Sequence, residues 1–401
     1  MKIAIIGGGA AGFFSAISAK EHHPSADVTI YEKTSKVLAK VKVSGGGRCN
    51  VTHACLNNVQ LSKFYPRGEK LLKKAFGQFA VQDTINWFEA RGVELKTEAD
   101  NRMFPVTDDS QTIIDCLLAE TRKLDIRISL KTDIHEIKVD NNGFTLTADN
   151  QDYKVNNVIV TTGGSPKASG LQWLADLGHS IENPVPSLFT FNMPGEPIRE
   201  LMGLAVSHAT AKVQGSKLKA EGPALVTHWG MSGPAVLKLS AFGARELADK
   251  GYKFNVQINW PSLAESDLRT QLSAFQEKHH KKKVINGNPL DIPARLWEFL
   301  LNKIELREDI QWGELGGKSM NKMVNIIIND TYQTHGKTTF KEEFVTCGGI
   351  SLQDISPASM QSKKVPGIYF AGEVLDIDGV TGGFNFQAAW TTGFIAGKLL
   401  E

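Results

Sequence analysis

Lys2-Ile-Ala-Ile-Ile-Gly-Gly-Gly-Ala-Ala-Gly12 is the stretch from which the rest of the chain can be read. Ile3 to Ile6 is a short apolar run of the kind found in strands buried on both faces. Gly7, Gly9 and Gly12 follow in G-x-G-x-x-G spacing, and an Ala-rich helical segment runs on through Lys20. That spacing divides three jobs: a tight strand-to-helix turn, close approach of a pyrophosphate to the backbone, and close packing of helix on strand. Ala10 and Ala11 open the helix, whose first N–H groups and positive dipole end point at the phosphates. A glycine turn by itself also occurs in unrelated loops, so the continuation decides. Val28-Thr-Ile-Tyr31 reads as a second buried strand ending at Glu32, twenty residues past Gly12. A carboxylate there accepts hydrogen bonds from an adenosine ribose, and an acid in place of an arginine argues against a 2′-phosphate. Lys33, next to it, is counted with the same contacts. The N-terminus is a dinucleotide site.

Which dinucleotide is decided at the other end of the chain. Pro366-Gly-Ile-Tyr-Phe-Ala-Gly-Glu373 is a buried strand running into a small-residue turn that carries Gly372 and Glu373. Asp376, Asp378 and Thr381-Gly-Gly-Phe-Asn-Phe-Gln387 follow, then a helix through Leu400. A nicotinamide domain needs no such distant second half, whereas FAD, which lies extended, does. Glu373 is placed to bond the ribityl hydroxyls. The start of the last helix, with Gly382, Gly383, Phe384 and Asn385, would face the pyrimidine end of the flavin and stabilise negative charge there. No residue is positioned for a covalent flavin bond, so the FAD is expected to be non-covalent.

Between these ends, Val43-Ser-Gly-Gly-Gly-Arg-Cys-Asn-Val-Thr52 reads as a second cofactor contact through Gly47, Arg48, Cys49 and Asn50. Three successive glycines suit a backbone passing close to something flat or anionic. Cys49 has two readings, a small packed thiol and a redox group, of which the packed thiol is the plainer. Arg102, in an extended loop, can anchor a substrate carboxylate or be a solvated charge. Ile126–Leu130, Ile134–Val139, Phe144–Ala148 and Tyr153–Val155 alternate with period two around a hairpin turn at Asn141-Asn-Gly143. Ile134 in this meander is counted among the cofactor contacts. Val158–Val160 returns to a buried parallel strand, and Thr161, Thr162, Gly163 and Gly164 form a turn at its carboxyl end, where open α/β sheets bind ligands.

From about Phe191 to Phe344 the glycine punctuation stops, and this stretch reads as an insert. Ala205–Gln214 and Tyr252–Trp260 alternate as half-buried strands, with Phe254, Val256, Ile258 and Trp260 on one face. A helix opens at Pro234 and closes at Gly251, and Ser262-Leu-Ala-Glu265 reads as a capping box. Lys278-His-His-Lys-Lys-Lys283 can be a metal or RNA site, or a cationic last turn offsetting a helix dipole; the last is the plainer reading. His228, in a Thr-His-Trp-Gly turn, is a packed histidine or a proton donor. No metal-ligand spacing stands out.

Lys and Arg number 45 against 43 Asp and Glu, so charge makes no case for nucleic acid as a partner. Met1 leads directly into a strand, no apolar stretch is long enough to cross a membrane, and the four cysteines are unpatterned. A cytoplasmic protein without a membrane partner is the expectation; the oligomeric state is not readable.

The glycine motif, Ser44-Gly-Gly-Gly-Arg-Cys-Asn-Val-Thr52, Arg102-Met-Phe-Pro105, Thr161-Thr-Gly-Gly164, Thr227-His-Trp-Gly-Met-Ser-Gly-Pro234, Thr346-Cys-Gly-Gly-Ile350 and the Tyr369–Gln387 run together resemble the YhiN/BaiN-type family of bacterial flavoproteins, NAD(P)/FAD-dependent oxidoreductases. The resemblance spans nearly the whole chain. It implies an α/β fold: a glutathione-reductase-like FAD-binding Rossmann domain, residues 1–190 and 345–401, with an inserted domain at 191–344. The insert would combine a β-barrel-like part, about 191–260 and 330–344, with a helical part, about 261–329. The function implied is hydride or electron transfer through flavin N5 to or from an unidentified small organic substrate, with NAD(P)H as a possible transient reductant. His228, Arg48 and Arg102 are the candidates for its catalytic groups. A flavin-dependent tRNA-modifying protein and a non-catalytic flavin sensor are the alternatives.

Overall fold

The computed structural model describes residues 1–148, 151–338 and 345–400. The chain divides into two compact units. One comprises Met1–Ser187 with the chain from 345 onward, and the other runs from Leu188 to 338 among the described residues. The expected end of the insert, at 339–344, lies outside the described residues.

The first unit is built on a five-stranded parallel sheet. Its strands are β1 (Lys2–Ile6), β2 (Asp27–Glu32), β3 (Arg127–Leu130), β4 (Asn157–Val160) and β5 (Ile368–Phe370), in the order β5-β4-β1-β2-β3. The central apolar runs are buried on both faces, as parallel strands require. The run Ile126–Leu130 leaves open a three- or four-stranded antiparallel meander, and the structure has three. The run joins this sheet, with Thr29 opposite Arg127 and Glu32 opposite Leu130. As an edge strand it is only partly covered, with Arg127 and Leu130 exposed and Ile128 and Ser129 half-buried. The meander itself has three strands, Ile134–Asp140, Gly143–Ala148 and Gln151–Val155. Asp140 pairs with Gly143, leaving Asn141 and Asn142 as a two-residue turn.

Two helices cover the front of the sheet, α1 (Ala10–His22) and α2 (Phe384–Gly397). They pack at backbone distance because their facing residues are small. An added Cβ would lie 2.8 Å from Ala11 O at Gly393 and 2.6 Å from Ser15 O at Gly397. Ser18 Oγ donates to Phe394 O at 2.7 Å across the same seam. Thus the two ends of the chain meet. The strands Ile181–Ser187 and Val345–Ile350 pair antiparallel, with Ser187 opposite Val345.

The second unit centres on a seven-stranded sheet in the order Asp330–His335, Lys253–Asn259, Ala205–Val213, Lys219–Thr227, Gly230–Ser232, Thr190–Asn192, Lys337–Thr338. Its first and last strands are one stretch of chain bent at Gly336, at φ +94°, so the sheet curls back on itself. The helices Glu265–Lys278, Ala294–Lys303 and Gly317–Ile328 pack a core around Trp260, Trp297 and Trp312, all buried. The helix expected from Pro234 to Gly251 is two, Pro234–Phe242 and Ala244–Asp249, which meet at Gly243. The capping box at Ser262 does not form. Ser262 Oγ is 2.5 Å from Thr210 Oγ1, and Ala264 stands at the cap of a helix that begins only at Glu265.

Candidate functional site: a dinucleotide cleft

Four loops gather at the carboxyl ends of β1, β2, β4 and β5, each positioned by the strand before it. After β1 the three glycines separate their tasks. An added Cβ would lie 2.5 Å from Thr161 O at Gly7 and 2.0 Å from Gly7 O at Gly12, so both positions are closed to any side chain. At Gly9 the same atom would meet nothing within 4 Å. Gly9 borders open space, in front of the N–H groups of Ala10 and Ala11 that open α1. Thr161, after β4, braces the turn from the other side through bonds from its Oγ1 to Ile6 O (3.0 Å) and Gly7 O (2.9 Å).

Glu32 ends β2 beside the turn. Its Oε2 accepts from Gly8 N–H at 2.9 Å and its Oε1 from Thr34 N–H at 2.8 Å. Lys33 beyond it is exposed. Thr132 N–H donates to Glu32 O at 2.9 Å, and Ile134, two residues further on, is buried at the start of the meander opposite Ala148. Thr162, exposed, leads from β4 into Gly163 and Gly164. Gly163 also borders open space, and an added Cβ at Gly164 would lie 2.7 Å from Glu373 Oε1.

Glu373, just past β5, is fixed by two partners. Its Oε1 accepts from Thr346 N–H at 2.8 Å, and its Oε2 pairs with Lys40 Nζ at 2.7 Å. Thr346 Oγ1, next to Gly164, is buried without a hydrogen-bond partner among the described residues. Gly372 is in contact with Ala11, where an added Cβ would lie 2.8 Å from the alanine Cβ. The turn after β5 and the turn after β1 are therefore one continuous rim.

The glycine-rich segment follows a short helix that starts at Ala39 and breaks at Ser44, and it turns left-handed through Gly45, Gly46 and Gly47, a loop as the glycines imply. Gly46 and Gly47 border open space, whereas at Gly45 an added Cβ would lie 3.0 Å from Asn50 N. Cys49 is fully buried, and burial pushes its thiol up to about 12. It is a packed thiol, as the plainer reading had it, and a poor nucleophile. Asn50 faces Thr52 O and Gly383 N, each at 3.0 Å with its amide turned to match both. Behind it, Thr52 Oγ1 donates to Gln387 Oε1 at 2.6 Å and Trp390 Nε1 to Val51 O at 2.9 Å. This buried network seats the start of α2, where Gly382 and Gly383 are left-handed, Phe384 is buried and Asn385 bonds both polar backbone groups of Gly379.

Arg48 and Arg102 are brought together, by acids that sequence reading missed. Arg48 Nη1 lies 2.6 Å and Arg102 Nη2 3.1 Å from the same Glu98. Arg102 Nε also pairs with Asp100 at 2.7 Å, and the Arg48 guanidinium lies 4.0 Å above the Phe104 ring. Lys96, ahead of Arg48, holds the Asp108 carboxyl below the usual range. His53 was also missed. Its ring stacks on Phe384 at 4.7 Å, its Nδ1 is buried without a hydrogen-bond partner among the described residues, and burial lowers its pKa. Nothing local announces it, because the contact is with a residue far along the chain. Thr346 had a signal, since it opens the Thr346–Ile350 motif. His228 belongs to the second unit, where it is exposed and stands edge-on to Trp229, their centroids 4.0 Å apart.

Among the described residues no group of three or more potential ligands could hold a metal, and no helix is long and apolar enough to cross a membrane. The cleft fits an extended dinucleotide: two carboxylates flank a glycine turn whose open positions are the ones a ligand backbone would fill. That defines a Rossmann-type FAD-binding flavoprotein. The chain belongs to the HI0933-like protein Rossmann domain family, whose model matches residues 1–399.

Two relatives align over nearly their full lengths. The 3-dehydro-bile acid delta(4,6)-reductase of Clostridium scindens is 25% identical, over 99% of this chain and 98% of its own. The ribosomal RNA dihydrouridine synthase of Escherichia coli K12 is 28% identical, over 97% and 95%. In fold the chain is similar to the 3-ketosteroid-delta4-(5alpha)-dehydrogenase of Rhodococcus jostii RHA1, with a TM-score of 0.52, 12% identity, and coverage of 98% of this chain and 96% of that one. Family and site together make the protein an FAD-dependent oxidoreductase.

Proposed function

We propose that the protein is a reductase acting on a carbon–carbon double bond conjugated with a carbonyl, in a small organic substrate. The observation that carries the cofactor half is the gathering of Gly9, Glu32, Glu373 and the start of α2 on one sheet edge. The names of the two relatives support the substrate half, since a delta(4,6)-reductase and a dihydrouridine synthase both add hydrogen to such a bond. Bound FAD supplies hydride transfer, and the protein supplies binding, orientation and electrostatics. Glu32 accepts from the ribose hydroxyls, the first turn of α1 faces the phosphates, and Glu373 accepts from the ribityl chain. The N–H groups at the start of α2 favour negative charge on the ring.

NAD(P)H serves as a transient reductant in this reading, because the chain has a single G-x-G-x-x-G followed by an acid. Arg48 and Arg102 are the groups for an anionic substrate. Since Glu98 already holds both, they would bind it by exchanging partners. His228 is the candidate proton donor from the second unit. The test is anaerobic stopped-flow with NADH, NADPH and a panel of conjugated enones. The expected protein is yellow and releases FAD, not FMN, on acid denaturation; His228→Ala keeps the flavin and slows turnover. Colourless protein that FAD cannot reconstitute overturns the cofactor, and reduced protein that no enone reoxidises overturns the substrate class.

A second reading, a uracil base within RNA as the substrate, is favoured by one feature. Lys278 ends a helix of the second unit, and Lys281, Lys282 and Lys283 are exposed on the turn after it, fixed to Gln311–Gly313 by backbone bonds. Steep salt dependence of binding to ribosomal RNA, with dihydrouridine formed on turnover, would favour it over a small substrate.

A further inference from the structure

Lys40 spans the mouth of the glycine turn. Two residues before it, Leu38 N–H donates to Gly8 O at 2.8 Å, tying this stretch to one side of the turn. Its own Nζ reaches Glu373 Oε2 at 2.7 Å on the other side, next to the Gly372 that is in contact with Ala11. The lysine side chain is 56% exposed and the glutamate 19%. An ion pair this open is worth little, so it exchanges readily for a better partner. The other glutamate oxygen has a separate partner, Thr346 N–H at 2.8 Å.

A pyrophosphate at this turn brings two negative charges. The first turn of α1, Ala10-Ala-Gly-Phe13, carries no ionisable side chain to meet them. A helix N-terminus supplies only about half a positive charge. Lys40 is a cation that the fold holds between the two flanks of that turn, through Leu38 on one and Glu373 on the other. We propose that Lys40 binds the pyrophosphate of the dinucleotide, and that its ion pair with Glu373 is a strap which the cofactor opens on entry. Opening has a second effect: it frees Glu373 Oε2 to accept from the ribityl hydroxyls. The inference rests on the FAD reading above and adds the residue that recognises the phosphates.

The experiment is equilibrium binding of FAD, ADP and riboflavin to the full-length flavin-free chain, at two salt concentrations. Lys40→Gln should weaken FAD and ADP about tenfold, as loss of a charge-assisted contact does. Riboflavin, which has no phosphate, should stay within about twofold. The variant should also lose part of the salt dependence of ADP binding. Lys40→Arg, with the charge kept, should hold FAD within about threefold of wild type and shows that the position tolerates change. The strap is overturned if Lys40→Gln binds ADP as tightly as wild type. It is equally overturned if riboflavin weakens as much as ADP, which would give Lys40 only the task of orienting Glu373. A wild-type chain that takes up no FAD overturns the cofactor reading itself, and the strap with it.

Discussion

The glycines of one turn are held to type by two different constraints. At Gly12 a side chain collides with Gly7 O, so Gly12→Ala should cost about 2 kcal/mol or more and lower the melting temperature of the flavin-free protein. At Gly9 there is no protein atom to meet, so Gly9→Ala should leave that melting temperature nearly unchanged while reducing bound FAD per chain. Calorimetry and the flavin absorbance of the two variants separate the roles; equal losses of stability would refute the division. Residue types so constrained by their neighbours are readable from spacing. Lys40, His53 and Thr346 are not, because each has its meaning only beside a partner brought by the fold; Lys40 and Glu373 are 333 positions apart.

At the scale of elements, β5 is anchored by the chain that leads into the second unit. His179 is buried, with Nε2 2.7 Å from Ser362 Oγ and its ring edge-on to Phe370 of β5. Burial lowers its pKa below the ordinary histidine value. The unfolded chain therefore takes up this proton first as pH falls. The stabilisation is complete above about pH 6.5 and is lost as pH drops through the window down to the lowered folded pKa. Thermal melts from pH 7 to 5 should show a falling melting temperature, and His179→Gln should flatten part of that fall. A parallel decline in wild type and variant would mean that this histidine takes up its proton equally in the folded and unfolded chains and contributes nothing to the fall. A second anchor is Arg67, which pairs with the buried Asp378 and also reaches Ser187 Oγ at 3.3 Å. It ties the approach to α2 to Ser187, where the chain leaves the first unit.

For the molecule as a whole, the two units differ in what they contain. Every residue of the dinucleotide cleft lies in the first, and the second has its own core around three tryptophans. The connections leave and return side by side, since Ser187 and Val345 are partners in one antiparallel pair. Replacing 188–344 with a short Gly-Ser linker should therefore leave a chain that folds and binds FAD with wild-type stoichiometry, but reduces no enone. Flavin content and circular dichroism of the shortened chain check this. A chain that is folded but colourless would show that the second unit is needed to hold the cofactor.

Glycine spacing, an acid at the end of the next strand and apolar strand cores determined the dinucleotide site from the sequence alone. Those signals are local: each depends on residues close enough along the chain to share a strand, turn and helix. Tertiary structure alone decided the rest. It placed Arg127–Leu130 at the edge of the parallel sheet and left the meander three-stranded, because backbone pairing outweighs the period of one partly covered strand. It bound Arg48 and Arg102 to a common Glu98, because exposed cations take whichever acid the fold brings within reach. It set Lys40 on Glu373 across the cleft, since the pairing of β5 with β4 and the packing of α1 against α2 bring the two ends of the chain to one rim.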